Sequence, residues 1–218
     1  MVEGSFLQGS QCRLGAPARL PALMQWRAQL HASVWVKPTW RSPVVFVDGS
    51  GRRPKDPAAR VVGFGICGKV GGEWCTEAGW LGPGESVTAA ESTAAARGFH
   101  RCTPGGTVVT DCKSVYHMFR WLRRLKGQAA ARAGTLKLTC WGLLAEAIRE
   151  RPDVDLQWMR SHRSGRAEAL RLGILEEWRI GNDKSDEVAK AAAGWIDMPE
   201  HLLQQHLEHN YIMQLNVL

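Results

Sequence analysis

The 218-residue sequence predicts an α/β domain, a mixed five-stranded sheet with helices on both faces. Three observations carry that expectation. Three strand-like runs come first, and turns as short as those between them join antiparallel neighbours. Later runs are reached through segments of helical period, so their strands run parallel to the first. Two β-branched runs, Val44–Val47 and Thr107–Thr110, read as buried strands, and each is followed at once by an acid.

Residues 1–42 carry five Lys or Arg and one acid, Glu3. Pro17, Pro21 and Pro38 rule out one long helix there, although Ala22–Ala32 could form a short one. This stretch is expected to be an N-terminal extension outside the fold. Its Arg-bearing, acid-poor character permits a mitochondrial transit peptide, and a remnant of a longer parent protein fits at least as well. The domain is expected over 43–194, followed by a tail over 195–218 with a docking helix at Glu200–Tyr211.

Within the domain the first strand is Val44–Val47, stopping at Asp48 because Gly49 and Ser50 are turn formers. A polar loop, Gly51–Ala59, leads to strands Val61–Cys67 and Glu73–Trp80, a hairpin around Gly68–Gly72. Val87–His100 is an Ala-rich helix with Ser86 or Thr88 as N-cap. Thr107–Thr110 is the fourth strand, ending at Asp111. Val115, Met118, Phe119, Leu122 and Leu125 repeat at a helical period over Ser114–Leu125. Leu136–Glu150 is a further helix, Val154–Arg160 the fifth strand, and Asp183–Ala193 the last helix with Asn182 as its N-cap.

Hydrophobic and charged contents of 44% and 22% are ordinary for a globular domain. No apolar run is long enough to cross a bilayer, so a membrane is not an expected partner. Six cysteines show neither Cys-x-x-Cys pairs nor zinc spacing. Cys67 and Cys75 could face each other across the hairpin, but reduced thiols in an intracellular protein, nuclear or cytoplasmic, are the better expectation. The net charge of +7 is concentrated. From Cys112 to Ala145 there is no Asp or Glu, while Lys113, Arg120, Arg123, Arg124, Lys126, Arg132 and Lys137 are basic. Such a stretch is a footprint for a polyanion, or simply a solvated basic face.

Parallel strands at Val44 and Thr107 would bring Asp48 and Asp111 out side by side. Glu91 lies on the Ala-rich helix, and Asp183, Asp186 or Glu187 on the last helix could reach the same edge. Crowded carboxylates raise one another's pKa and are tolerated when hard divalent cations, Mg²⁺ or Mn²⁺, sit among them. Two such ions suit phosphodiester cleavage, with the basic stretch holding a nucleic-acid backbone alongside.

Five stretches, Val-Asp-Gly-Ser (47–50), Thr-Ala-Ala-Glu-Ser-Thr-Ala-Ala (88–95), Val-Val-Thr-Asp-Cys-Lys-Ser-Val (108–115), Trp-Met-Arg-Ser-His (158–162) and Asn-Asp-Lys-Ser-Asp-Glu-Val-Ala-Lys (182–190), together resemble ribonuclease H. The resemblance runs in order over about two-thirds of the chain. It implies the ribonuclease H-like fold, a monomer, and cleavage of the RNA strand of an RNA/DNA hybrid with two Mg²⁺ ions, for which Mn²⁺ substitutes. Asp48, Glu91, Asp111 and Asp186 match the family's metal-binding carboxylates, which leaves Asp183 and Glu187 as surface residues. His162 matches a histidine that assists proton transfer or product release. For contact with the hybrid the resemblance implies Gly49, Ser50 and Thr88 beside the acids, and Lys113, Arg120, Arg123, Arg124 and Lys126 on the basic stretch.

The sequence also departs from the family. Val87 and Thr88 stand where many members carry asparagine or glutamine to read RNA hydroxyls. An insertion, Arg163–Gly181, separates His162 from the last helix, and no hybrid-binding module is recognisable in residues 1–42. These features resemble a ribonuclease H domain of retroelement origin. Three readings follow: an active hybrid ribonuclease, an inactive nucleic-acid-binding domain from a retroelement, and another nuclease or transposase on the same fold.

Overall fold

The computed structural model describes residues 39–52, 60–81, 85–125, 140–160 and 171–194, with His201 and Gln204. Lys37–Trp195 forms one compact unit. The expected helices at Ala22–Ala32 and Glu200–Tyr211 fall outside the described residues, apart from His201 and Gln204.

The elements are β1 (Ser42–Arg52), β2 (Val61–Val70), β3 (Glu73–Leu81), α1 (Val87–Arg101), β4 (Cys102–Thr110), α2 (Lys113–Arg124), α3 (Gly142–Glu150), β5 (Asp155–Trp158) and α4 (Glu176–Gly194). The sheet order is β3-β2-β1-β4-β5. β1–β2 and β2–β3 pair antiparallel, whereas β1–β4 and β4–β5 pair parallel. This is the mixed five-stranded sheet that the order of elements predicts.

Side-chain alternation along β1 assigns the two layers. Val45 and Val47 face one side, packing with Phe64, Ala90, Ala94, Phe99, Val108 and Phe119 under α1, α2 and α3. Phe46 faces the other, with Cys67, Val109, Met159 and Trp178 of α4. Helices therefore cover both faces. Ser86 caps α1, its hydroxyl accepting from the Ala89 N–H at 3.0 Å.

Glycines on β2 let α4 lie unusually close. A Cβ at Gly65 would meet the Ser185 carbonyl oxygen and Ala189 N, and one at Gly63 would meet Ala193 N and Ala189 O. Backbone thus rests on backbone at this layer. On the opposite face, buried Glu77 of β3 accepts from Arg97 Nη1 (2.7 Å) and Arg101 Nε (2.6 Å), fastening β3 to α1.

Several boundaries differ from expectation. β1 does not stop at Asp48 but pairs with β2 as far as Arg52 opposite Val61. Gly49 and Ser50 are strand residues there, because a glycine beside a crossing helix serves close packing as well as turning. The last helix starts at Glu176, so Asn182 is a buried interior residue, not an N-cap. Acids at Glu176 and Glu177 favour the earlier start, and Arg179 pairs with Glu176 one turn before it and with Asp183 one turn after it. β4 begins at Cys102 and β5 ends at Trp158, the one longer and the other shorter than their apolar runs. The third helix is described from Gly142. Cys67 stands opposite Thr76, and Cys75 opposite Gly68, so the hairpin does not align the two thiols and both are free.

Candidate active site

Register places the first two acids. Val47 pairs with Thr110 across the parallel β1–β4 ladder, so the next residues, Asp48 and Asp111, emerge together. Glu91 arrives from α1 because Gly49 leaves room for it: a Cβ on Gly49 would lie 2.5 Å from Glu91 N and 2.8 Å from Glu91 Cγ. One oxygen from each of Asp48, Glu91 and Asp111 lies within 4.8 Å of the other two. Asp48 and Glu91 are buried, and Asp111 is half-buried.

Electrostatics at this cluster run against ionisation. Burial, then the charges of Asp111 and Asp186, push the Asp48 carboxyl up to about 8, against a hydrogen bond from Gly49 N–H. Burial, followed by Asp48, Cys112 and Asp111, raises Glu91 well above the ordinary carboxylate range. Glu91 Oε2 is buried with no hydrogen-bond partner. A buried carboxylate oxygen without a donor, among neighbours of the same charge, is what a hard divalent cation would satisfy.

Asp186 approaches from α4. It raises Asp48 through its charge and a shared carboxyl hydrogen bond, while its Oδ2 accepts from Lys190 Nζ at 2.6 Å. Its helix neighbours point elsewhere: Asp183 pairs with Arg179, and Glu187 is exposed. Two contacts that the sequence reading missed hold Asp111. Asn182 Nδ2 donates to its Oδ2 at 3.4 Å, and Trp158 Nε1 donates to its carbonyl at 2.9 Å. The Trp-Met-Arg-Ser-His stretch carried the signal for that tryptophan.

The expected nucleic-acid contacts divide. Ser50 and Thr88 are half-buried near the cluster, on β1 and in the first turn of α1. Lys113 Nζ lies 5.0 Å from the Trp158 ring centre, and Arg120 lies 5.7 Å from that of Tyr116. Arg120 and Arg124 are exposed on α2. Arg123 is committed differently, donating to the carbonyls of Pro152 (2.8 Å) and Val154 (2.6 Å). It clamps α2 to the start of β5. His162 and Lys126 lie outside the described residues.

Comparison with protein-family models gives no match, and comparison with curated proteins gives none. Solved structures do match. The prototype foamy virus protease-reverse transcriptase superposes with a TM-score of 0.52 at 21% identity, over 72% of this chain and 22% of that one. The foamy virus RNase H domain gives 0.48 at 18% identity, covering 69% of this chain and 93% of that one. A type 1 RNase H with the type 2 active-site motif gives 0.47 at 17%, covering 72% and 75%. The fold is therefore that of a ribonuclease H-like domain, with a buried carboxylate cluster at the junction of its central strands. Among the described residues no helix is long and apolar enough to cross a membrane.

Proposed function

We propose that this domain is a divalent-cation-dependent nuclease that hydrolyses the RNA strand of RNA/DNA hybrids. The observation that supports it most directly is the convergence of Asp48, Glu91 and Asp111, where burial and like charges disfavour ionisation of Asp48 and Glu91. Asp48, Glu91, Asp111 and the adjacent Asp186 would hold two Mg²⁺ ions, or Mn²⁺ in their place. When bound, such ions supply a nucleophilic water at neutral pH and neutralise charge on the leaving oxygen.

The chain's own residues do the rest. Asp48 and Glu91 would hold the cations as carboxylates, and because burial raises both groups, cation binding would be coupled to pH. Asn182 and Trp158 fix Asp111 from two sides, and Lys190 steadies Asp186. Exposed Arg120 and Arg124, with Lys113 nearer the acids, would hold phosphates along α2. His162 is assigned to proton transfer or product release by the ribonuclease H resemblance. The fold match to a viral protease-reverse transcriptase supports a retroelement origin.

A second reading, nucleic-acid binding without catalysis, is favoured by one contact: Lys190 already neutralises Asp186. Cleavage of a labelled RNA/DNA hybrid with Mg²⁺ or Mn²⁺, beside single-stranded RNA and duplex DNA, separates the readings. Cutting confined to the hybrid's RNA and lost in Asp48→Asn is the expected result. Folded protein that binds hybrid without cutting would establish the second reading instead. Cutting of duplex DNA would point to another nuclease on this fold.

A further inference from the structure

Two cavities and a strand edge meet at Trp158, whose indole Nε1 donates to the Asp111 carbonyl. β5 is the last strand of the sheet and pairs with β4 alone among the described strands. Met159 N–H donates to the Thr110 carbonyl. By the two-residue period of a strand, the main-chain groups of Asp155 and Gln157 also face β4. Those of Val154, Leu156 and Trp158 therefore face outward. Arg123 covers the first of them by donating to the Val154 carbonyl. Past that clamp the edge continues through Leu156 and Trp158.

The cavities flank this edge on opposite faces of the sheet. On the α2 side a cavity of about 810 Å³ is lined by Tyr116, Arg120, Arg124, Leu156 and Trp158. On the α4 side a cavity of about 500 Å³ is lined by Met159, Leu172, Ile174, Leu175 and Trp178. Leu172 and Leu175 are 38% and 64% exposed, which is apolar surface presented at a sheet edge.

We propose that the outer edge of β5 accepts an extended peptide as a sixth strand, its alternate side chains acidic toward Arg120 and Arg124 and apolar into the cavity beside Leu175. A strand's alternate side chains fall on opposite faces, which is how these two unlike cavities are arranged. Charge complementarity sets the acidic half and the exposed leucines the other. A strand edge offers donors and acceptors in turn, matching a peptide main chain. A phosphodiester only accepts, and it would meet the outward Leu156 and Trp158 carbonyls with no donor to offer them. The inference does not depend on the acid cluster. It does share Arg120 and Arg124 with the proposed hybrid contact, so a seated peptide would compete with hybrid.

The test uses the full chain in EDTA, so that cleavage plays no part. A fluorescent peptide of alternating Glu and Leu is titrated and followed by anisotropy. Binding is expected to weaken about tenfold or more when amides along one peptide edge are N-methylated, and similarly in Leu175→Asp. Arg120→Glu with Arg124→Glu should lose the Glu peptide and gain one with Lys in its place, a swap that misfolding does not produce. No binding of the parent peptide, or equal binding of its N-methylated form, overturns the proposal.

Discussion

Asp48 carries an energetic cost that its neighbours impose. In the unfolded chain it ionises near 3.8, whereas in the fold burial and the nearby acids move it to about 8. The native state therefore keeps a proton that the unfolded chain has released. Without divalent cations, stability should fall as pH rises between those values, by at most about 1.4 kcal/mol per pH unit from this group. Asp48→Asn should flatten that slope, raise the melting temperature at pH 8 in EDTA, and remove the stabilisation that Mn²⁺ gives the wild type. Thermal melts across pH, with and without Mn²⁺, check all three. A second residue-scale prediction concerns neighbouring arginines with different duties. Arg123→Ala breaks two hydrogen bonds from a charged donor and should cost about 2–4 kcal/mol of folding stability in denaturant titration. Arg120→Ala and Arg124→Ala should stay within about 0.5 kcal/mol of wild type.

At the scale of elements, close approaches through glycine set the site. Gly65→Ala would drive a methyl group into the Ser185 carbonyl and Ala189 N, forcing α4 off β2. Overpacking of this kind costs about 1–3 kcal/mol, and it should also weaken Mn²⁺ binding by displacing Asp186. Chemical denaturation paired with Mn²⁺ titration tests both effects. The strand order, the crossovers and the Asp48–Asp111 juxtaposition were legible in the sequence, because apolar runs and connection lengths report them directly. Glu91's place was legible only through the ribonuclease H resemblance, since a glutamate among alanines also suits a solvated helix position. The continuation of β1 past Asp48 was not legible. Gly49 and Ser50 read locally as a turn, and only the tertiary approach of α1 explains the bare backbone at Gly49. The early start of α4 was missed because Arg163–Ile180 lacks a sustained apolar period, whereas its helix turns are joined by the Arg179 ion pairs.

Among the described residues, the buried acids Asp48 and Glu91 lie beside a basic flank on α2. Hybrid binding in EDTA should weaken steeply with salt. Arg120→Ala with Arg124→Ala should reduce the slope of log affinity against log salt by about one to two units, measured by anisotropy from low to moderate salt. An unchanged slope would make α2 a solvated face. The seating of α4 on β2 carries a different consequence. Asp186 rides at a height set by three absent side chains, those of Gly63 and Gly65 on β2 and of Gly181 where α4 crosses the Phe46 ring. At each of the three a single added methyl group would lift the helix, and with it one acid, away from its partners.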